Sequence, residues 1–413
     1  MNEKFACFEV TSDSIRLILG SVDDRSPFPF LEKEIAIPGI ISRGIVQDEE
    51  ALVAALSQFH RLEDPHTRVV ANISSACLVL PALDFGCFHG AKSTNTVSST
   101  VSAVDISNAI SLFQKDSLRE KAGYSVIDII PQEFVLEDGR RFYEPPLGET
   151  SSTLMIEGLV HLLPSEVVSS YTNCFLKAGF RIEKVSVNSH CDALALGLEA
   201  NLPKDALLIN LGARITQVNL VRKGNSVASF SIFFGGDDIT ERLASSFSLT
   251  FEEAESLKKE YGYDPTPRLF SAPIGVSNDP SVGKISQEQW NAALLKAFEP
   301  YIAQLKATLD KLNGLQAQIK DLPLILSGGG SMLVGIKALL ASILQGHEVY
   351  SYVPSVVGMR HPRYMSLVGS LLAKGNSYTG SLSDNHKNLA HVSRPALKAK
   401  TLKRTSSPED DSL

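Results

Sequence analysis

Two stretches of this chain follow one plan. FACFEVTSDSIRLILG (5–20) is an apolar run, a short polar turn and a second apolar run leading away from it. ALLINLGARITQVNLVRKGNSVASFSIFFGG (206–236) opens the same way and adds a third run. Short apolar runs separated by small and polar residues read as antiparallel strands joined by tight turns. Two copies of one supersecondary unit imply a duplicated α/β fold with a cleft between its halves. A chain of 413 residues has the length for several domains and a sizeable core.

Helical periodicity fills the space between the strands. Asp48 is placed to cap a helix carrying Leu52, Val53, Leu56 and Phe59. VVANISSACLVL (69–80) reads as a strand, and Asp84 to about Thr100, rich in Gly, Ser, Thr and Asn, as a boundary or mobile loop. Asp105 starts a helix with Ile106, Ile110 and Phe113, and residues 126–148 form strands around a turn at Asp138-Gly139. Thr153 to Leu163 is a further strand, and Ser165 caps a helix that stops at Gly179. Helices follow at about 237–247 and 250–261, the second opened by a Thr250/Glu253 capping box. Residues 286–312 are one kinked helix or a pair, with Trp290, Leu294, Phe298, Ile302, Leu305 and Leu309 on one face and Pro300 interrupting it. Trp290 is expected in the core. LPLILSGGGSML (322–333) is an apolar strand ending in glycines that permit close backbone approach, with a helix N-terminus expected behind them.

Composition narrows the function classes. A net charge of −7 gives the whole molecule no electrostatic case for nucleic acid. No apolar run reaches the length of a membrane span, and MNEKFACFEV lacks the pattern of a secretory signal. Cys7, Cys77, Cys87, Cys174 and Cys191 form no CxxC pair, which points to reduced thiols in a cytoplasmic protein. No HExxH, HxH or GxSxG pattern occurs. His190, Cys191 and Asp192 are consecutive, so on a helix they diverge by about 100° per residue and make a poor catalytic unit.

The order of several motifs resembles one known family, the bacterial cell-division protein FtsA of the actin/Hsp70 superfamily. FFGGDDITERLASSFSLTFEEAESLKKEYG (233–262) carries most of the resemblance. IPQEFVLEDG with the later PLG (130–148), SRGIVQD (42–48), SGGGSMLVGI (327–336) and VVGMRHPRYMSLVGSLL (356–372) complete it in order. The resemblance implies a two-lobed, actin-like α/β fold of duplicated ribonuclease-H-like halves with a small inserted α+β subdomain. The segments are 1–82 (first lobe), 83–163 (insertion), 164–190 (first lobe), 191–345 (second lobe, with a helical subdomain at about 238–312), 346–374 (closing helix of the first lobe) and 375–413 (disordered tail). It also implies ATP in the cleft, binding of the FtsZ C-terminal tail, self-association into filaments, and a place at the cytoplasmic face of the membrane at the division site. The sibling pilus-assembly protein PilM offers a rival scaffold reading.

The phosphate-holding residues of that family are altered here. Its first loop, Asp-Ile-Gly-Thr-Ser-Lys, corresponds to Glu9-Val10-Thr11-Ser12-Asp13-Ser14, which loses the glycine and lysine and gains a carboxylate. Its second, Asp-Ile-Gly-Gly-Gly-Thr-Thr-Asp, corresponds to Asn210-Leu211-Gly212-Ala213-Arg214-Ile215-Thr216-Gln217, with amides for both carboxylates. Ser12, Gly212 and Thr216 keep loop positions, and Arg214 is a candidate substitute cation for phosphate. Gly235, Gly236, Asp237, Glu255, Lys258, Gly328, Gly329 and Gly330 match the family's nucleotide contacts. The expectation is weak ATP binding, with or without Mg, and little or no hydrolysis, since positioned water and charge stabilisation are both missing. A weakly active ATPase is the competing reading. The basic run Arg394, Lys398, Lys400, Lys403 and Arg404 is followed by Glu409, Asp410 and Asp411. With only Leu397 and Leu402 as large apolar groups, it predicts weak or indirect membrane contact.

Overall fold

The computed structural model describes residues 3–63, 70–266, 272–315, 319–344, 346–375 and 391–392. The chain starts with an antiparallel meander, β1 (Lys4–Val10), β2 (Ser14–Asp23) and β3 (Ser26–Ala36). Helix α1 (Glu49–Ser57) follows, its N-terminus capped by the Asp48 carboxylate at 2.9 Å from the Ala51 N–H. Strand β4 (Ser75–Leu80) then pairs parallel with β1, Cys7 opposite Cys77. Strands β1 and β4 read as nearly continuous apolar runs, interrupted in β1 by Glu9, because both sheet faces are covered. On one face Phe8 meets the edges of Phe59, Phe175 and Phe180 at centroid distances of 5.5, 5.2 and 5.3 Å, an arrangement worth about 0.5–1.5 kcal/mol per pair beyond burial.

The inserted unit comprises β5 (Gly86–Asn95), α2 (Ala103–Glu120), β6 (Tyr124–Leu136) and β7 (Thr153–Pro164). Its sheet runs β5-β7-β6, with the short strand Arg141–Phe142 beyond β6. The stretch expected as a boundary or mobile loop is therefore largely strand β5, an edge strand whose outward positions are solvated. Its small polar residues suit such an edge. Helix α2 starts two residues before Asp105, which instead closes a capping box with Ser102 at 2.6 Å. Ile106, Ile110 and Phe113 face the sheet as their spacing predicts.

Ser165 is the first residue of α3 (Ser165–Lys177) rather than its cap, and its hydroxyl lies 2.8 Å from that of Ser125. Strand β8 (Arg181–Val187) completes the first sheet in the order β8-β4-β1-β2-β3. Helix α4 (Asn188–Leu198) follows and spans the expected boundary at residue 190. His190 within it is fully buried. It lies 3.5 Å from Asp128 of the insertion, beside Lys184, whose ammonium is 3.7 Å from the same carboxylate. Burial holds His190 well below, and His161 at about 4 against, the usual imidazole value.

The second lobe repeats the meander with β9 (Ala206–Leu211), β10 (Thr216–Arg222) and β11 (Asn225–Ile232). Helices α5 (Gly236–Phe247), α6 (Phe251–Tyr261) and α7 (Gln287–Leu315) come next, α7 running through Pro300 as a single helix. The Trp290 ring is buried and stacks on Phe247, and its N–H donates to the Gly262 carbonyl at 3.1 Å. Strand β12 (Leu324–Ser327), helix α8 (Ile336–Ile343) and strand β13 (Val349–Ser351) complete the sheet as β13-β12-β9-β10-β11. That order mirrors the first sheet strand for strand, which is the duplication visible in the sequence. The segment from 346, expected to close the first lobe, thus begins in the second lobe's sheet.

Helix α9 (Met365–Gly375) lies with α4 between the two sheets, in a core that joins Cys7 and Ile18 of the first to Leu208 and Ile325 of the second. The two helices touch closely. A Cβ at Gly369 would stand 1.8 Å from the Cys191 carbonyl oxygen. The expected tail lies outside the described residues except for Gly375, which ends α9, and His391–Val392, which pairs with Asp128 and Ile129 of β6.

Candidate functional site

A cavity of about 480 Å³ opens between the lobes, lined by the β1–β2 turn, the β9–β10 turn, the start of α5, α6 and the glycine triplet after β12. The sequence-predicted residues Ser12, Gly212, Gly236, Asp237, Glu255, Lys258, Gly328, Gly329 and Gly330 all line it. Gly235 and Thr216 lie just beneath, with Phe234 and Tyr301, around a smaller hollow. Thr216 is fully buried and its hydroxyl donates to the Phe234 carbonyl at 2.9 Å. Arg214 is not among the lining residues. Its guanidinium is 3.0 Å from Asp237, 3.8 Å from Asp238 and 2.7 Å from Glu241. The candidate phosphate cation therefore neutralises the acidic first turns of α5.

Both turns close on themselves. The Thr11 N–H donates to the Ser14 carbonyl at 2.9 Å and the Gly212 N–H to that of Ile215 at 3.0 Å. The first two N–H groups of α5 donate to the second turn, Gly236 to Gly212 at 3.0 Å and Asp237 to Ala213 at 2.8 Å. A helix start whose donors are taken in this way offers an anion correspondingly less.

The glycines serve packing more than ligand approach. A Cβ at Gly235 would lie 2.4 Å from the Ala213 oxygen, one at Gly328 2.4 Å from Asn210 Oδ1, and one at Gly330 2.8 Å from Leu211 Cβ. At Gly329 it would meet nothing within 4 Å. The helix expected behind the triplet is one 3₁₀ turn, Gly329–Met332, and α8 starts only at Ile336.

Lys258 and Glu255 are not a surface ion pair. Lys258, 7% exposed, donates to Gly236 O at 2.8 Å, Thr240 Oγ1 at 2.6 Å and Glu255 at 2.6 Å. Burial lowers its affinity for the proton, opposed by Glu255. It fastens α6 to the start of α5.

The floor is shaped by Glu9 and Asp192, and by Arg16, to which no motif drew attention. Glu9 is 8% exposed, and burial raises its carboxyl above the usual range, opposed by the Arg16 guanidinium 3.6 Å away. Arg16 also stands 3.8 Å from Asp13 and 3.0 Å from Glu34. Asp192, 1% exposed, accepts from Asn210 Nδ2 at 3.0 Å and Ser366 Oγ at 2.7 Å. Burial pushes Asp192 up to about 7. The period-two spacing of Ser14 and Arg16 on β2 is the one signal that would have aimed Arg16 at the cleft.

The amides of the second turn are engaged internally. Asn210 bonds Asp192, and Gln217 donates to Ser231 Oγ at 3.0 Å and accepts from Ser229 Oγ at 3.2 Å. Asn210 commits only its amide nitrogen, but neither side chain carries the negative charge of a metal-ligating carboxylate. Magnesium takes hard oxygen ligands in octahedral array. Among the described residues, no three His, Cys, Asp or Glu side chains converge as metal ligands. Glu9 has an uncommitted oxygen, but the guanidinium beside it repels a dication. The floor does not fit that ion, while the glycine-lined wall leaves space for a ligand.

A family model described as cell division protein FtsA matches residues 207–369. The chain is 22% identical over 383 residues to the cell division protein FtsA of Enterococcus faecalis, which spans 89% of this chain and 82% of the relative. The cell division protein FtsA of Bacillus subtilis is 22% identical over 384 residues, with the same 89% and 82% coverage. Of solved structures, the PilM-PilN type IV pilus biogenesis complex is similar at a TM-score of 0.58 and 18% identity, covering 91% of this chain and 99% of that one. MreB 5 of Spiroplasma citri bound to AMPPNP is similar at a TM-score of 0.51 and 12% identity, covering 90% and 95%. These structural likenesses establish an actin-like fold.

Proposed function

We propose that this chain, similar in sequence to the cell-division protein FtsA and actin-like in fold, is a division scaffold that does not turn over ATP. It binds the C-terminal tail of FtsZ, self-associates into filaments and works at the cytoplasmic face of the membrane at the division site. Membrane contact is weak or indirect, and the basic run expected to provide it lies outside the described residues. ATP is bound weakly, as an assembly ligand.

One observation carries the loss of turnover. Asn210 and Gln217, at the positions of the family's two carboxylates, are held in hydrogen bonds to Asp192, Ser229 and Ser231. Neither side chain can accept a proton from an attacking water, and neither is disposed to hold a metal-bound one. The division role is supported by the FtsA match over 207–369 and by relatives that align with most of the chain.

The partner reading is tested by titrating a fluorescent FtsZ C-terminal peptide into the full chain. Saturable binding in the micromolar range is expected, and no binding at about 100 μM rejects the partner. Phosphate release from ATP should not exceed the protein-free blank; steady turnover establishes the ATPase reading instead. The likeness to PilM extends to fold and does not favour a pilus role.

A further inference from the structure

We propose that the floor of the cleft is closed by a side-chain bridge, Asn210 to Asp192, with Arg16 as the resident cation, so that the site neither needs nor takes a divalent metal. The inference rests on the non-hydrolysing reading only for the nature of the ligand; the bridge can be tested without FtsZ.

Asn210 ends β9 in the second lobe, and Asp192 sits on α4 between the sheets. The amide nitrogen donates to Asp192 Oδ2 at 3.0 Å while Ser366 of α9 donates to Oδ1 at 2.7 Å. Both carboxylate oxygens thus accept a hydrogen bond inside the protein. A carboxylate at position 210 would oppose Asp192 at this distance, and in a poorly solvated floor the two would repel strongly unless a cation stood between them. An amide at 210 removes the need for that cation.

Two further hydrogen bonds tie the second sheet to its neighbours, one to α4 and one to the segment after β4. Asn219 donates to the Ser189 carbonyl at 2.7 Å, and Ser231 to that of Ala82 at 3.1 Å. On the opposite wall Arg16 stands within 4 Å of Glu9, Asp13 and Glu34. It balances the acids a metal ion would otherwise neutralise. The bridge replaces a bound ion as the tie between β9 and the central helices, and Asp192 and Asn210 act as positioning residues.

The test is thermal unfolding of the full chain at about pH 8, where Asp192 is ionised, in excess magnesium and in excess EDTA, each with and without ATP. The wild type is expected to give one Tm for magnesium and EDTA, whether or not ATP is present. Asn210→Asp should lower Tm by about 4 °C or more, and magnesium should recover part of that loss. The reversed pair D192N/N210D should recover most of it without metal, which separates the bridge from general damage. A wild-type Tm raised by ATP with magnesium but not by ATP with EDTA overturns the proposal. So does an N210D protein as stable as the wild type, or a reversed pair no better than N210D. If neither variant folds, the wild-type comparison of magnesium with EDTA still decides.

Discussion

The two turns at the cleft began from the same place in the same meander and have diverged in opposite directions. The first, Thr11 to Asp13, has gained charge, with Asp13 near half exposure and Arg16 gathering three carboxylates. The second, Gly212 to Ile215, turns its one charge away from the cleft, Arg214 onto the acids of α5, and has become a packing element clamped between α5 and the glycine triplet. The sheets beneath both remain strand-for-strand equivalent. Core packing constrains a strand on both faces, whereas a turn is constrained only by what it touches, so the turns record what each half of the site now does.

The sharpest way to break this comparison is to load the second turn. Gly328 has φ 78° and ψ 172°, a region essentially reserved for glycine, and its missing Cβ is the space of Asn210 Oδ1. Gly328→Ala should cost about 3 kcal/mol or more in chemical denaturation. An unchanged midpoint would mean that the triplet does not pack as described.

Next in size is the pH dependence set by Asp192. Its folded value of about 7 exceeds the unfolded carboxyl value. Between about pH 4 and pH 7 the folded chain keeps a proton that the unfolded chain has released. This contribution to stability is complete below about pH 4 and is lost as pH rises through about 7. It amounts to something on the order of 4 kcal/mol. Asp192→Asn should flatten that part of the stability profile, measured by urea unfolding at a series of pH values.

Lys258→Ala leaves half-buried Glu255 with only the exposed Lys259 ammonium, 3.1 Å away, and should cost about 2 kcal/mol; a loss below about 0.5 kcal/mol would return the pair to the status of a surface contact. Gly329→Ala should be the mildest, within about 0.5 kcal/mol of the wild type, because its Cβ enters open cleft space. The contrast between Gly328 and Gly329 separates packing glycine from cleft-facing glycine within one triplet.

Much of the fold was legible from periodicity. The duplicated meander, the faces of α2 and α7, the Asp48 cap and the burial of Trp290 follow from spacing that tertiary contacts reinforce. Strand β5 was not legible, because an edge strand in a solvated subdomain carries the small polar residues of a loop. Of the site, the glycines and the loop positions could be placed, since each sits at a strand end or helix start that periodicity delimits. Their roles could not. Asp192, Asn210 and Ser366 meet from three separate elements, and only folding brings them together. Arg214 has the chain position of a phosphate ligand, but folding sets it among the acids at the start of α5.

The glycine contact between α9 and α4 has a mechanical consequence. With no side chain between Gly369 and the Cys191 carbonyl, and with Ser366 bonded to Asp192 one residue along α4, the two helices are in rigid register. A pull on the chain beyond Gly375 travels down α9 and reaches the base of the cleft with little elastic loss.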